Sequence, residues 1–446
     1  MPPAAAENRP PDPALVRAVG IWGLAASIVN ITIAGSILVL PGTLGSMLGA
    51  AAPLAFLLGA ALFVPLMLCF AAAGSRVAAS GGPFSYVDTA FGRFPGFVVA
   101  ALLWISSASG SGGIAAALAD QLAQVLPELS RPMLRAALLL VLYGTLIAVN
   151  AAGIRTGTAA NKLFALAKML PLALIVVLAA RYCKPSNLHI ESWPAARALG
   201  TAMILVVFAY SGVETALAPS GEIRDNDRVV PRAVALGVGI VVGLYIAIQI
   251  TCQGVLGGSL AGHAAPISAV AERVMPGGGT LVAALAGISL FGCLQGDLLG
   301  TSRLLYALAQ ARLLPAALAS IRPSTRVPLA ALTLHAACAC GLAIVGSFSA
   351  LALVSGGAFC FVYIGCAAAA WALQRRDYRQ TRAPLVLPGG ILIPAAGIAG
   401  FAALLSSLKL REWLAILAAL AVICAWYAVA QRLFGVPRNP PSENQS

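Results

Sequence analysis

Long apolar runs with almost no charge inside them restrict this chain more than any other feature. They stand at roughly residues 18–41, 50–73, 95–122, 133–151, 163–181, 199–220, 231–256, 280–301, 328–348, 351–373, 388–407 and 413–434. Each is close to the twenty or so residues that a helix needs to cross a hydrocarbon core. Lipid offers no partner to a backbone N–H or C=O, so only helices and closed barrels cross it. Runs such as Leu170 to Ala180 lack the polar–apolar alternation of a barrel strand. The chain therefore reads as an all-α polytopic membrane protein of about twelve transmembrane helices. Its charge content, 10% of 446 residues, is well under the usual quarter of a soluble domain and excludes a soluble globular enzyme. Its 60% hydrophobic content excludes a disordered chain.

A net charge of +13 raises the question of nucleic acid. The basic residues instead sit in short clusters between apolar runs, with no basic stripe carrying interleaved aromatics. With the N-terminus inside, inner segments hold 19 Lys and Arg and outer segments hold 8. That asymmetry predicts an even number of helices with both termini cytoplasmic, in a multi-pass protein of the cytoplasmic or plasma membrane. On this reading residues 1–17 form a cytoplasmic tail, 18–434 the membrane domain and 435–446 a second tail. Met1 to Pro13 is Pro-rich and lacks the pattern of a signal peptide. Between the second and third runs, Ser80 to Phe94 is polar and aromatic and reads as a short interfacial helix.

The nine cysteines fall mostly within apolar runs and read as small buried residues. Nothing in the chain has a cofactor motif or the Cys/His spacing of a metal site. Clustered catalytic groups are also missing from the spans, which argues against a membrane-embedded enzyme.

Charge inside a span is costly and points to function by default. Lys168 lies deep in the fifth run, and Asp120, Glu214 and Asp297 lie within or at the rims of others. Asp297 reads as the partner of a cytoplasmic arginine, Asp120 as a solvated acid, and His263 and His335 as lone histidines.

Two runs are interrupted. The first contains Ala34-Gly35-Ser36-Ile37 followed by Pro41-Gly42, and the sixth contains Phe208 to Glu214 followed by Pro219. Gly disfavours helix interiors and Pro removes a backbone hydrogen bond. One such site usually serves close packing. Two of them, mid-span and five spans apart, mark corresponding positions of two halves, the best sequence pointer to a transporter binding site. Unwound backbone offers N–H groups to a carboxylate and C=O groups to an ammonium, and a zwitterionic amino acid needs both.

Asn30 to Pro41, Gly81-Gly-Pro-Phe-Ser-Tyr86, Asn150-Ala-Ala-Gly-Ile-Arg155, Ala167-Lys168-Met-Leu-Pro171, Phe208 to Glu214 with Gly221-Glu222, and Ser302-Arg303 occur in this order. As a set they resemble the amino acid/polyamine/organocation (APC) transporter superfamily, amino acid permease type. Ala34 and Ser36 stand where that family usually has glycines, and Ala72 where it often has Glu. The resemblance implies two inverted five-helix repeats, about 18–181 and 199–373, with two further helices at about 388–434. It implies a secondary active transporter working by alternating access, its substrate site at the midplane.

On that basis Ala34, Gly35, Ser36 and Ile37 are expected to offer amides to a substrate carboxylate at the positive end of a half-helix. Phe208, Ala209 and Tyr210 are expected to offer carbonyls to its amino group, beside Gly212, with the Phe208 ring closing over the substrate. Trp104 and Tyr363 are candidates for the side-chain pocket, or for ordinary packing. Glu214 either tunes substrate and proton charge or caps freed amides of the sixth helix. The resemblance also implies that protonated Lys168 stands against carbonyls near the first break, with Ser289 adding a hydroxyl, and that losing the proton frees the helices. A lysine snorkelling to an interface is the alternative. The expected partners are thus a neutral or hydrophobic amino acid or related amine, a proton, and the lipid bilayer. Exchange without ion coupling is the competing mode.

Overall fold

The computed structural model describes residues 19–33, 35–77, 81–151, 157–217, 223, 225–322, 325 and 327–434. Both expected tails, Ala34, Arg155, Pro219 and the Gly221-Glu222 pair lie outside the described residues. The helices are α1 (Ile21–Thr32), α2 (Gly35–Leu48), α3 (Ala52–Arg76), α4 (Pro83–Phe91), α5 (Arg93–Val125), α6 (Pro132–Ala151), α7 (Gly157–Ala179), α8 (Ala196–Tyr210), α9 (Val213–Ala216), α10 (Asn226–Leu256), α11 (Pro266–Val274), α12 (Gly278–Gln310), α13 (Leu329–Val345), α14 (Phe348–Arg375), α15 (Leu392–Leu405) and α16 (Leu410–Phe434). Every apolar run is helical over most of its length. By length and composition 8 helical stretches can cross a membrane among the described residues, and α1, α13 and α15 are shorter apolar helices.

The molecule is an all-helical polytopic membrane protein, and its surface shows why. Leu166, Leu170, Leu174 and Val177 on α7, Leu140 and Val141 on α6, and Leu417 and Val422 on α16 are exposed. A water-soluble protein does not carry such continuous apolar faces, but a bilayer solvates them. The long α5 sits centrally, packed on α4, α12, α13 and α14, while α10 packs on α1 and α3. Small residues let these helices approach: Gly356 lies against the Ile204 carbonyl and Gly112 against that of Ala339.

Two runs differ from continuous spans. The first becomes α1 and α2, running on to Leu48, and the sixth becomes α8 and the one-turn α9. The polar segment after α3 holds α4, as expected, whereas α11 follows no apolar run and was not foreseen. At one end of the bundle the buried Arg76 donates to the carbonyls of Tyr378 (3.1 Å) and Leu385 (3.4 Å), tying the loop after α14 to the end of α3.

Candidate functional site

Helix termination leaves carbonyls without intrahelical partners. At the end of α1 the backbone N–H of Ile33 meets the Val29 carbonyl at 2.9 Å. Side chains from three other helices meet the next four. Lys168 Nζ on α7 donates to Asn30 O at 3.0 Å and Ile33 O at 3.4 Å. Cys293 Sγ on α12 donates to Ile31 O at 3.3 Å. Tyr245 on α10 donates its hydroxyl to Thr32 O at 2.6 Å. Lys168 is itself 5% exposed, so this ammonium does not snorkel to an interface.

At the second break Ser211 donates to the Phe208 carbonyl twice, through its N–H at 3.3 Å and its Oγ at 2.7 Å. That carbonyl is therefore engaged, which differs from its expected role toward a substrate. No described residue donates to the carbonyls of Ala209 or Tyr210. Glu214 Oε1 accepts from the N–H of Gly212 at 2.7 Å and Oε2 from the Tyr363 hydroxyl at 3.3 Å. Of the two expectations for Glu214, capping of the freed amide is the geometry present.

The breaks face one another. A Cβ on Gly212, whose φ is +133, would lie 2.6 Å from Thr32 Oγ1 and 3.1 Å from Ile31 Cγ2. Between them is a cavity of about 40 Å³, walled by Ile31, Thr32 and Ser36 at the first break and by Phe208, Ser211, Gly212, Glu214 and Thr215 at the second. Helix α5 contributes Ser106, Ser107, Gly110, Ser111 and Ile114, α12 contributes Cys293 and Asp297, and α14 contributes Ser355 and Phe359. This volume holds a few waters, so an amino acid enters only when the walls part.

Of the expected residues, Ser36, Phe208, Gly212 and Glu214 wall the cavity. Gly35 does not, and packing explains it: an added Cβ would lie 2.2 Å from Leu290 Cδ2. Ile37 is fully buried in the apolar core. Tyr210 points away, donating to Phe56 O at 3.2 Å and stacking on Tyr245. Tyr363 stacks on Phe359 and reaches the cavity only through Glu214. Trp104 is half-buried, packed on the core. Ser289 is buried, and no hydrogen bond joins it to Lys168 among the described residues, the neighbour there being Cys293.

Two polar assignments change. Among the described residues Asp297 meets no arginine: its Oδ1 accepts from Ser107 at 2.9 Å and Thr301 at 3.3 Å, and its Oδ2 lies 3.0 Å from His335 Nε2. His335 is accordingly not alone. Asp120 is exposed, as expected of a solvated acid, and pairs with Arg135, one turn into the next helix. A signal for the cavity wall was present in the sequence. Ser106, Ser107, Gly110 and Ser111 fall at i, i+1, i+4 and i+5, one face of a helix. Asp297 and Thr301 share a face in the same way. Some of these serines have structural roles: Ser106 and Ser355 bond reciprocally to each other's carbonyls at 2.7 and 2.8 Å, stitching α5 to α14.

The packing of Gly35 carries a prediction. Gly35→Val should force Leu290 aside and lower the melting temperature of the purified protein, by about 1–3 kcal/mol of overpacking. A Gly35→Val protein as heat-stable as wild type but unable to bind substrate would place Gly35 at the ligand instead.

The sequence model of the amino acid permease family matches residues 19–442. The serine/threonine exchanger SteT of Bacillus subtilis is 26% identical over 94% of this chain and 98% of its own length. An uncharacterized transporter of Mycobacterium tuberculosis is 29% identical over 86% of this chain and 88% of its own. The human large neutral amino acids transporter small subunit 2 is 25% identical over 59% of this chain and 52% of its own.

Proposed function

This chain belongs to the amino acid permease family of the APC superfamily, and from that premise we propose that it moves a small neutral amino acid across the membrane by alternating access, coupled to protons. One observation carries the reading: two broken helices face each other across a single cavity, with the Lys168 ammonium holding the carbonyls of the first break. In the proposed binding mode, the amides of Ser36 and its neighbours at the start of α2 take the carboxylate, favoured by the positive helix end. The carbonyls of Ala209 and Tyr210 take the ammonium.

The inverted-repeat arrangement belongs to the same proposal. The first five spans are α1–α2, α3, α5, α6 and α7, and the second five are α8–α9, α10, α12, α13 and α14. Counterparts among the first four spans of each half pack on one another, α3 on α10, α5 on α12, α6 on α13, and α1–α2 on α8–α9, which supports a two-fold relation. Both termini are taken as cytoplasmic from the distribution of Lys and Arg.

Similarity to a serine/threonine exchanger along nearly the whole chain favours a second mode, obligatory exchange. Proteoliposomes separate the two. Net uptake into vesicles without internal amino acid, driven by an acidic exterior, supports coupling. Uptake only when the lumen is preloaded with amino acid supports exchange, and no uptake of any amino acid in either arrangement overturns the function.

Phe208 is the aromatic wall of the site, 5% exposed, with its ring beside Gly110 and edge-on to Phe348. Phe208→Ala should open the closed cavity to water and raise KM for uptake about tenfold, on the order of 1.4 kcal/mol of lost binding. Uptake kinetics equal to wild type would leave Phe208 with packing alone.

A further inference from the structure

The Asp297–His335 pair has no part in the reading above. We propose that Asp297, held in place by His335, selects amino acids whose side chain donates a hydrogen bond, hydroxyl-bearing ones first, over apolar isosteres. The proposal rests on the amino acid permease reading and specifies its substrate.

His335 is fully buried, and its Nδ1 has no partner among the described residues. A protonated Nδ1 there would be a buried donor left unpaired, which is costly, whereas an unprotonated nitrogen without a partner costs less. The network therefore assigns the tautomer whose Nε2–H donates to Asp297 Oδ2 at 3.0 Å. Oδ1 takes the Ser107 hydroxyl at 2.9 Å, and the single Thr301 hydroxyl proton is shared between Ser107 Oγ at 3.0 Å and Oδ1 at 3.3 Å. These donors come from α5, α12 and α13, so the carboxylate is already partnered and needs no cation from the substrate. An ionised carboxylate has about four acceptor positions, and these contacts occupy three at most. Asp297 also walls the cavity, its side chain 15% exposed, so one acceptor position is left for a donor inside it.

A hydroxyl supplies that donor, and a methyl of the same size does not. Sites built to bond a polar substrate group reject the analogue lacking it strongly, because a buried acceptor is then desolvated without a partner. The reverse discrimination, an apolar pocket rejecting an added hydroxyl, is weak.

Threonine and valine are near-isosteric and give the test. Proteoliposomes holding the full chain are loaded with unlabelled serine, and inhibition of labelled serine uptake by threonine and by valine is measured. Wild type should favour threonine at least tenfold. Asp297→Asn should raise the half-inhibiting concentration of threonine at least fivefold relative to that of valine. His335→Leu, which lets the carboxylate turn away, should raise the same ratio, and His335→Gln, which keeps a donor to Oδ2, should bring it back toward the wild-type value. A purely structural role would weaken both inhibitors equally, and that outcome overturns the proposal, as does a wild-type preference for valine. No uptake of labelled serine, threonine or valine by wild type would instead overturn the amino acid reading itself.

Discussion

Vesicles carrying the Lys168→Ala variant should fail to accumulate substrate against a gradient when the exterior is acidic and sodium is absent, while wild-type vesicles succeed. Nζ supplies the donors for two of the four carbonyls released where α1 ends, Asn30 and Ile33. Cys293 and Tyr245 hold the other two from different helices. Lys168 is the member of this set that can carry or lose a charge on α7. An ammonium inside a membrane costs about 2.5–3.5 kcal/mol on insertion scales, and it persists here because two carbonyls receive it. In the proposed cycle, losing the proton weakens the attraction between α7 and the first break and lets them separate. The expected effect is a fall of accumulation to background. Counterflow, which needs no driving force, tells lost coupling from lost folding, because a misfolded protein exchanges nothing. Accumulation by Lys168→Ala equal to wild type would remove Lys168 from coupling, and sodium-dependent uptake by wild type would remove the proton.

The second large effect belongs to Gly212. Its backbone has φ +133 and ψ −25, a region that side chains with a Cβ rarely enter. Such strain costs about 1–3 kcal/mol in a non-glycine residue. In addition the Cβ of Gly212→Ala would press on Thr32 Oγ1 and Ile31 Cγ2, at 2.6 and 3.1 Å. The two breaks would be driven apart and the Gly212 N–H pulled from Glu214. Gly212→Ala should therefore lose transport and melt several degrees below wild type. Thr32→Ala added to it removes the closer contact but not the backbone strain, so it should restore stability in part. A Gly212→Ala protein with wild-type melting and uptake would show that the apposition of the breaks is not needed.

How these breaks behave was only partly legible. Gly35 and Gly212 look alike as sequence features, each a glycine in an interrupted run. Tertiary contacts separate them: Gly35 abuts Leu290 and Ile114 behind the wall, and Gly212 abuts Thr32 beside the cavity. Tyr210 sits two residues from Gly212, yet the helical turn aims it at Phe56 and Tyr245. Proximity in sequence to a break thus does not decide which side chain reaches the ligand.

The scarcity of charge inside apolar runs marked Lys168 as a group that must find a partner, and the family resemblance, not that scarcity, pointed to the first break. Asp297 and His335 share that scarcity, but 38 residues separate them, and no local pattern links an acid on one helix to a histidine on the next. The serine face of α5 carried a readable period, but a hydroxyl near a midplane serves packing as readily as binding. Ser106 shows the first use in its bonds to Ser355, and Ser107 adds a bond to Asp297.

By itself the sequence determined that the chain is helical and membrane-embedded, where its helices break, and, through ordered motifs, its family. These follow from local rules: lipid leaves backbone groups no partner but their own helix, and glycine and proline weaken that helix where they stand. The tertiary structure alone decided which polar atoms share the cavity, which carbonyls are already taken, and that Asp297 bonds His335 rather than an arginine. Those outcomes depend on the rotation of each helix about its own axis against four or five neighbours, a relation between residues remote in the chain.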